Sequence, residues 1–406
     1  MILKTRLLGL VFGAVLAAGG EAQAQLSAPR EAARIEFGTL AFYPSLQIVD
    51  AGTDDNVFND TSASVSDYTL TVASRVLTVL RLGSNELLFK VGDDYVWFRD
   101  SASERSNNTQ YAVRFNMSAS RFKPYIGAEH LRTRVRRSPE LDARARRIDR
   151  AVLGGIAFDI SPRTAVTASL RLDETNYHAG EQFRNVALDD ALNRFGRTAE
   201  AGVRYAITAL TTLSVTAGYE EQKFKTSHLR NLKRYTVGPT LEFNPEAAIR
   251  GRVVTSFELF EPDDPALAQR MGVAYQALLN WSLYGRTLFD VAAGRNITYS
   301  YQDTEPYFLL NNVRLIVTQP LPGWYEFNAG YDWDHMAYKW SRDAIATLGR
   351  SDRVDTLTAV HGGVGMRVGQ ALQLRVGVEK ARRRSIEDPL QNFSRTRFLS
   401  TVTVGS

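Results

Sequence analysis

The chain has 406 residues, with 49 lysines and arginines against 44 aspartates and glutamates, so its formal net charge is only +5. So small an excess, spread over the whole length, excludes the basic signature of a nucleic-acid-binding protein. Cysteine is absent, which excludes disulfides and thiol chemistry.

The N-terminal residues have the pattern of a secretory signal peptide. Lys4 and Arg6 precede an apolar stretch over residues 7–18, which is too short for a membrane helix. Ala22-Gln23-Ala24 then offers a small-residue cleavage site. We predict three segments: a signal peptide at 1–24, a short periplasmic lead at 25–40 and one transmembrane β-barrel over 41–406.

Beyond the lead, the sequence repeats one pattern. An alternating run of about ten to fifteen residues is followed by a very short turn, a second run and a longer polar loop. In one run, Leu374 and Val376 alternate with Gln373 and Arg375, which places each set on one face of a strand. Eight short turns and nine long loops give nine hairpins. The pattern predicts an all-β fold: a closed antiparallel transmembrane barrel of about 18 strands, with short periplasmic turns and long extracellular loops.

One long loop has a pattern of its own. Within residues 180–196, Phe183, Val186, Ala191 and Leu192 fall on roughly helical spacing. A short helix here either folds into the mouth of the barrel as a cap or lies on its rim, and the sequence leaves both arrangements open.

Charged residues alternate with the apolar set along the strands. An arginine or lysine that faces lipid at the membrane midplane costs roughly 2–4 kcal/mol, so we assign these residues to the pore lining. On opposing walls they would create a transverse field that selects ions and dipolar solutes. Alternatively, they pair across strands and stabilise the wall. The predicted pore-lining residues are Arg171, Asp173, Glu200, Arg204, Glu326, Asp332, Asp334, Asp355, Arg367, Arg375 and Glu379.

Arginine is concentrated in one hairpin and again in the last long loop. Guanidinium groups bind phosphate and carboxylate bidentately. At the outer rim their partners are either lipopolysaccharide phosphates or an acidic polymer that leaves the pore. The predicted anion- and lipopolysaccharide-binding rim consists of Arg132, Arg134, Arg136, Arg137, Arg144, Arg146, Arg147, Arg382, Arg383 and Arg384.

Patterns for catalysis or metal binding are weak. Asp54-Asp55-Asn56, with Asn59 and Asp60, supplies the oxygen ligands that calcium prefers, but the spacing matches no calcium-binding loop and favours a solvated turn. The five histidines occupy no nucleophile elbow, metal-ligand spacing or local Ser/His/Asp arrangement. We predict no catalytic residue, no metal and no cofactor. A barrel enzyme acting on envelope lipid or glycan is the alternative from another class.

The first strand and loop resemble a known family. Tyr43-Pro44-Ser45-Leu46, then residues 52–58 and Ser66-Asp67-Tyr68, are similar to the opening of the outer-membrane β-barrel porins found with exopolysaccharide and capsule synthesis genes. Thr53 stands where that family has an aromatic residue, and the chain ends Val404-Gly405-Ser406 without a terminal aromatic residue.

The resemblance implies a bacterial outer-membrane pore. Its implied function is a conduit for polysaccharide export, or a porin that accompanies polysaccharide synthesis. The implied partners are outer-membrane lipid, lipopolysaccharide, a polysaccharide substrate and periplasmic export proteins. Periodicity alone supports only a pore, so a general diffusion porin for small solutes is the alternative.

Overall fold

The computed structural model describes residues 35–339, 353–368 and 372–404. Eighteen long strands form one antiparallel sheet that closes on itself, which confirms the predicted barrel. The predicted signal peptide and most of the predicted lead lie outside the described residues, and residues 35–37 pair with the start of the first long strand. No helix in the described part of the chain is long and apolar enough to span a membrane.

The elements are short in the loops and long in the wall. The strands are β1 (Ile35–Phe37), β2 (Leu40–Asp54), β3 (Asp67–Leu82), β4 (Asn85–Phe98), β5 (Ser106–Asn116), β6 (Phe122–Thr133), β7 (Arg147–Ser161), β8 (Thr164–Tyr177), β9 (Gln182–Phe183), β10 (Val186–Ala187), β11 (Arg194–Ala206), β12 (Thr211–Phe224), β13 (Leu232–Phe243), β14 (Ile249–Pro262), β15 (Arg270–Leu283), β16 (Thr287–Tyr299), β17 (Tyr307–Pro320), β18 (Tyr325–Lys339), β19 (Val354–Val368), β20 (Leu372–Ser385) and β21 (Phe393–Val404). Helix α1 spans Leu188–Leu192, and 3₁₀ turns span Ala102–Glu104, His228–Arg230 and Pro389–Gln391.

Strand connections alternate in length, as the sequence predicts. Eight connections between the long strands are short and nine are long. The connection over 340–352 and the turn over 369–371 join described strands but lie outside the described residues. Short turns at the periplasmic end and long loops at the extracellular end are typical of an outer-membrane barrel.

The barrel closes between its first and last long strands. β2 pairs with β21 from Leu46↔Val404 to Asp54↔Arg397, and with β3 along its other edge. A bulge interrupts this seam at Asp50, whose φ is 54°. Just beyond it, a Cβ added to Gly52 would run into the carbonyl group of Phe398. Glycine therefore permits the close approach of the two strands that complete the barrel.

The two faces of the wall differ in polarity. In β8, Val166, Leu170 and Leu172 are exposed, whereas Arg171 and Asp173 alternate with them and are partly buried. The exposed apolar side chains form the outward face, because hydrocarbon accepts them without unpaired polar groups. The alternate register therefore lines the lumen in the long strands.

Candidate pore and its outer mouth

A carboxylate flanked by two arginines lies near the periplasmic end of the lumen. Glu326 of β18 accepts hydrogen bonds from Arg375 (2.6 Å) and Gln373 (2.8 Å) of β20. The Arg367 guanidinium of β19 lies 3.5 Å from the same carboxylate and keeps 29% of its side chain exposed. Arg375 also interacts with Asp290 of β16, which faces Arg250 as well, so three guanidinium groups meet two carboxylates and this level of the lumen keeps an excess of positive charge.

A second carboxylate–arginine group is built from β20 and β21. Arg397 contacts both carboxylate oxygens of Glu379 at 2.7 Å, and Arg395 lies 3.4 Å from the same group. Asp50 of β2 interacts with Arg397 from the other side. Glu379 is among the predicted pore-lining residues, whereas Arg395 and Arg397 are not. The signal was available, because Glu379↔Arg397 are cross-strand partners in the last hairpin.

A third group is buried at the outer end of the lumen. Asp355 accepts hydrogen bonds from Arg353 (2.8 Å) and Arg383 (2.6 Å), and Arg353 also pairs with Glu305 of the β16–β17 loop at 2.5 Å. All four side chains are at most 3% exposed. Charges tolerate such burial when each is paired and hydrogen-bonded. Burial raises the pKa of Glu305 to about 7.

The remaining predicted pore-lining residues also occupy the inward register. Asp332 of β18 pairs with Arg314 of β17 at 2.5 Å, with His361 of β19 at 3.8 Å on its other side. On the opposite wall, Arg171 donates to Glu129 at 3.0 Å. Asp334, Asp173, Glu200 and Arg204 share the inward registers of β18, β8 and β11. All the predicted pore-lining residues therefore lie in the lumen, and their effect on permeation stays a prediction.

One long loop crosses the outer mouth. The loop over residues 134–146, between β6 and β7, reaches the far wall, where Arg383 donates to the Pro139 carbonyl oxygen at 2.9 Å. The Ser300 hydroxyl donates to the Glu140 carboxylate at 2.6 Å. Burial raises the pKa of Glu140 to about 7. The loop is therefore anchored to β20 and to the β16–β17 loop, on the other side of the barrel.

The loop over 178–193 completes the cap. Leu188 and Leu192 of α1 are buried in an apolar cluster with Leu141 and Tyr301, which come from two other long loops. The Phe183 ring packs edge-on against Tyr301, with 5.0 Å between ring centroids. Of the two arrangements that the sequence left open, the structure shows the helix inside the mouth.

The predicted rim arginines divide into inward and outward groups. Arg147 pairs with Asp149 at 2.9 Å and is 2% exposed. Arg383 is equally buried in the lumen, whereas its neighbours on β20 alternate with it and are exposed. The inward group consists of Arg136, Arg137, Arg144, Arg147 and Arg383, and the outward pair on β20 is Arg382 and Arg384.

The other predicted rim arginines line a cleft on the barrel's outer surface. Arg132, Arg134 and Arg146 surround a cleft of about 360 Å³ together with Arg105, which is not among the predicted rim residues. Arg134 pairs with Glu104 at 3.1 Å, and Arg146 pairs with Glu181. Four guanidinium groups around one cleft form a concentrated cationic surface at the level of the long loops.

The oxygen-rich stretch after β2 is an internally hydrogen-bonded turn. Asp54 accepts from the Asn56 backbone N–H at 3.0 Å, and Asp60 accepts from the backbone of Ser62 and Ala63. These backbone donors hold the pKa of Asp60 below its ordinary value. In the described residues, no group of three or more histidine, cysteine or acidic side chains could hold a metal ion.

Comparisons with known proteins agree with this architecture. Residues 233–405 match the model of the family "Putative beta-barrel porin 2". The chain is similar in structure to OccK2 (OpdF) of Pseudomonas aeruginosa, with 13% identity and a TM-score of 0.51 over 89% of this chain and 97% of that one. The chain is an outer-membrane β-barrel with the fold of the porins. No curated protein matches it.

Two further solved porin structures have the same fold. OccK9 (OpdG) of P. aeruginosa is 10% identical, with a TM-score of 0.50 over 90% of this chain and 98% of that one. OccK2 (OpdF) has also been solved in complex with glucuronate, at 12% identity and a TM-score of 0.50 over 90% and 98% of the two chains. At such identities the likeness concerns the fold.

Proposed function

We propose that this barrel is a passive channel for small hydrophilic solutes and that it favours those carrying a carboxylate. The charged lumen of the closed barrel supports the first part, since barrels of this size generally enclose an aqueous channel. The excess of guanidinium groups around Glu326 supports the second, because Arg367 and Arg375 can bind a carboxylate in passing. That OccK2 has been solved with glucuronate fits the same solute class.

The capped mouth favours small solutes over a polymer. The loops over 134–146 and 178–193 meet the β16–β17 loop in one apolar cluster. A polysaccharide chain would have to separate all three loops along their buried contacts. Polysaccharide export is therefore the second candidate, and its support is the resemblance of residues 43–68. Deletion of the gene tests it: normal surface polymer would leave only the small-solute channel.

Reconstitution in planar bilayers and liposomes tests the channel. We expect ion conductance and faster uptake of glucuronate than of a neutral sugar of similar size. Arg375→Gln should move the reversal potential in a salt gradient toward cation selectivity and slow glucuronate uptake. Arg382→Gln is the matched control, because Arg382 lies on the same strand but is exposed on the outward face.

Two results would contradict different parts of the proposal. A wild-type barrel that neither conducts nor admits solutes is not a passive channel. A conducting barrel in which Arg375→Gln changes neither selectivity nor uptake has no carboxylate preference at this site.

The outward arginine cleft supports a lipid partner. Arg105, Arg132, Arg134 and Arg146 surround it at the level where the long loops leave the wall, and lipopolysaccharide phosphates are the anions available there. We expect Arg132→Gln with Arg146→Gln to reduce the lipopolysaccharide that co-purifies with the barrel, measured by native mass spectrometry. Arg204→Gln, which changes the lumen instead, should leave it unchanged.

A further inference from the structure

The wall is incomplete between β15 and β16. Their pairing runs from Leu283↔Thr287 up to Tyr275↔Arg295 and ends there. Both strands continue beyond that point, β15 to Arg270 and β16 to Tyr299, and each stays paired with its other neighbour. Two strand edges therefore face each other without a ladder at the outer end of the wall, where unpaired backbone groups are costly.

Exposure on β15 agrees with this opening. The four residues 270–273 are all exposed, instead of alternating as the rest of a wall strand would. Met271 is 85% exposed, and a Cβ added to Gly272 would have nothing within 4 Å. The outer end of β15 therefore lies in the wall, whereas the outer end of β16 does not lie beside it.

The missing neighbour is folded into the lumen. We call residues 296–310, comprising the end of β16, its loop and the start of β17, the infolded hairpin. Arg234 of β13 donates to the Ile297 carbonyl oxygen at 2.6 Å. The rings of Phe260 (β14) and Tyr307 (β17) pack at 4.8 Å. Within a wall, strands three places apart are separated by about 14 Å, so these contacts require the hairpin to lie inside.

Further contacts hold the hairpin across the mouth. The Tyr307 hydroxyl donates to the Asn231 carbonyl oxygen at 3.1 Å, and Arg230 donates to the Ser300 carbonyl oxygen at 2.6 Å. The Tyr299 ring packs on Phe224 of β12 at 5.1 Å between ring centroids. The hairpin thus spans the interior from β17 to β12 and narrows the lumen.

The sequence of β16 is nevertheless suited to the wall. The outward set of β16 begins with Phe289, which stacks on the exposed Trp281, and continues through Val291 and Ala293. The exposed Arg295, opposite Tyr275, is the next residue of this set, and Ile297 and Tyr299 follow it in the same period of two. If the ladder continued in its observed register, they would face outward beside Val273 and Met271, with the tyrosine at the membrane interface. Ile297 and Tyr299 therefore fit a position in the wall as well as the position that they occupy in the lumen.

We propose that the infolded hairpin is the gate of this channel and that it has two positions. In one position it lies in the lumen, held by Arg234, Phe260 and Asn231, and narrows the mouth. In the other it pairs with β15 through Ala274↔Asn296, Val273↔Ile297, Gly272↔Thr298 and Met271↔Tyr299, which completes the wall and widens the mouth. The carbonyl groups of β16 accept hydrogen bonds from Arg234 in the lumen position and from the backbone of β15 in the wall position. Two alternative sets of contacts are what a two-state element requires. The inference rests on the proposed channel function.

A cysteine pair can trap the second position. The chain has no cysteine, so Val273→Cys with Ile297→Cys gives a single possible disulfide. Antiparallel partners have Cα atoms about 4.5–5.5 Å apart, within disulfide range. We expect oxidation to cross-link this pair, to raise the conductance severalfold and to abolish closures, and reduction to reverse all three. Tyr307→Phe, which loses the hydroxyl contact to Asn231, should speed the cross-linking.

The matched control is Ala277→Cys with Ala293→Cys, a pair already joined in the ladder below the opening. It should cross-link readily and leave the conductance unchanged. If the control pair cross-links and the Val273–Ile297 pair does not, the hairpin never reaches the wall and the proposal is wrong. Cross-linking without a change in conductance would show movement but no gate. If no variant conducts, the channel function fails, while the cross-linking yields still report on the movement.

Discussion

Substitution of one buried carboxyl in the cap should reduce the channel's pH dependence. Glu140 lies in the loop that crosses the mouth, is 2% exposed and accepts a hydrogen bond from Ser300 of the infolded hairpin. Arg383 of β20 and Arg353 beside β19 also act on its charge. We expect opening of the mouth to separate this loop from the hairpin and to bring Glu140 into contact with water.

The size of the effect follows from the pKa of Glu140. Burial raises that pKa from an ordinary 4.5 to about 7, so the closed cap binds the proton more tightly than the opened cap. The closed form therefore loses stability as pH rises from about 4.5 to about 7, and the full penalty for the buried carboxylate remains above that range. The difference corresponds to about 3 kcal/mol, or about three hundredfold in the ratio of closed to open channels.

Single-channel recording between about pH 5 and pH 8 measures this ratio. We expect the wild-type open probability to rise with pH and Glu140→Gln to flatten the curve, because the amide keeps an acceptor for Ser300 and does not titrate. Glu305, whose pKa burial also raises to about 7, accounts for any slope that remains, so Glu305→Gln is added to the first variant. A double variant with the full wild-type slope would refute the reasoning.

Two further predictions concern the lumen and the closing seam. Asp332→Asn should remove the negative charge that faces Arg314 at 2.5 Å. The reversal potential should move toward anion selectivity with little change in folding, because lumen substitutions tune selectivity more than stability; an unchanged reversal potential would make Asp332 a purely structural residue. Gly52→Ala should destabilise the barrel by about 1–3 kcal/mol through the clash with Phe398, seen as a lower unfolding temperature in detergent. Gly154→Ala, whose Cβ meets only ordinary contacts, should unfold as the wild type does, and equal loss in both variants would contradict the explanation.

The wall could be predicted from the sequence because its determinants are local. Alternation assigns each residue of a strand to a face, and the contrast between short turns and long loops gives the number of strands. Alternation also predicts which arginines of the arginine-rich hairpin face the lumen and which face outward. Arg147 and Arg150 lie three residues apart on β7, so they necessarily face opposite sides of the wall, one buried inside and one exposed.

The cap and the infolded hairpin could not be predicted in the same way. Arg383 and Pro139, which meet in the mouth, are 244 residues apart in the chain, and no strand register relates them. The hairpin is a stronger case, because the alternation of β16 is suited to a position in the wall that its outer end does not occupy. A pattern of period two identifies the face of a strand, but it does not indicate whether tertiary contacts draw that strand out of the sheet.

The lumen charges are paired differently at different heights, and each of the two interpretations that the sequence left open fits one level. At the outer end, Asp355 and Glu305 balance Arg353 and Arg383, and all are buried, so this group anchors the wall and the loops and leaves little net charge for a solute. Near the periplasmic end, Glu326 and Asp290 face three arginines, of which Arg367 and Arg375 remain partly exposed. We expect the unbalanced guanidinium charge there to act on the solutes that pass. We therefore expect selectivity to respond to substitutions at the lower level, and closure to respond to those at the upper one.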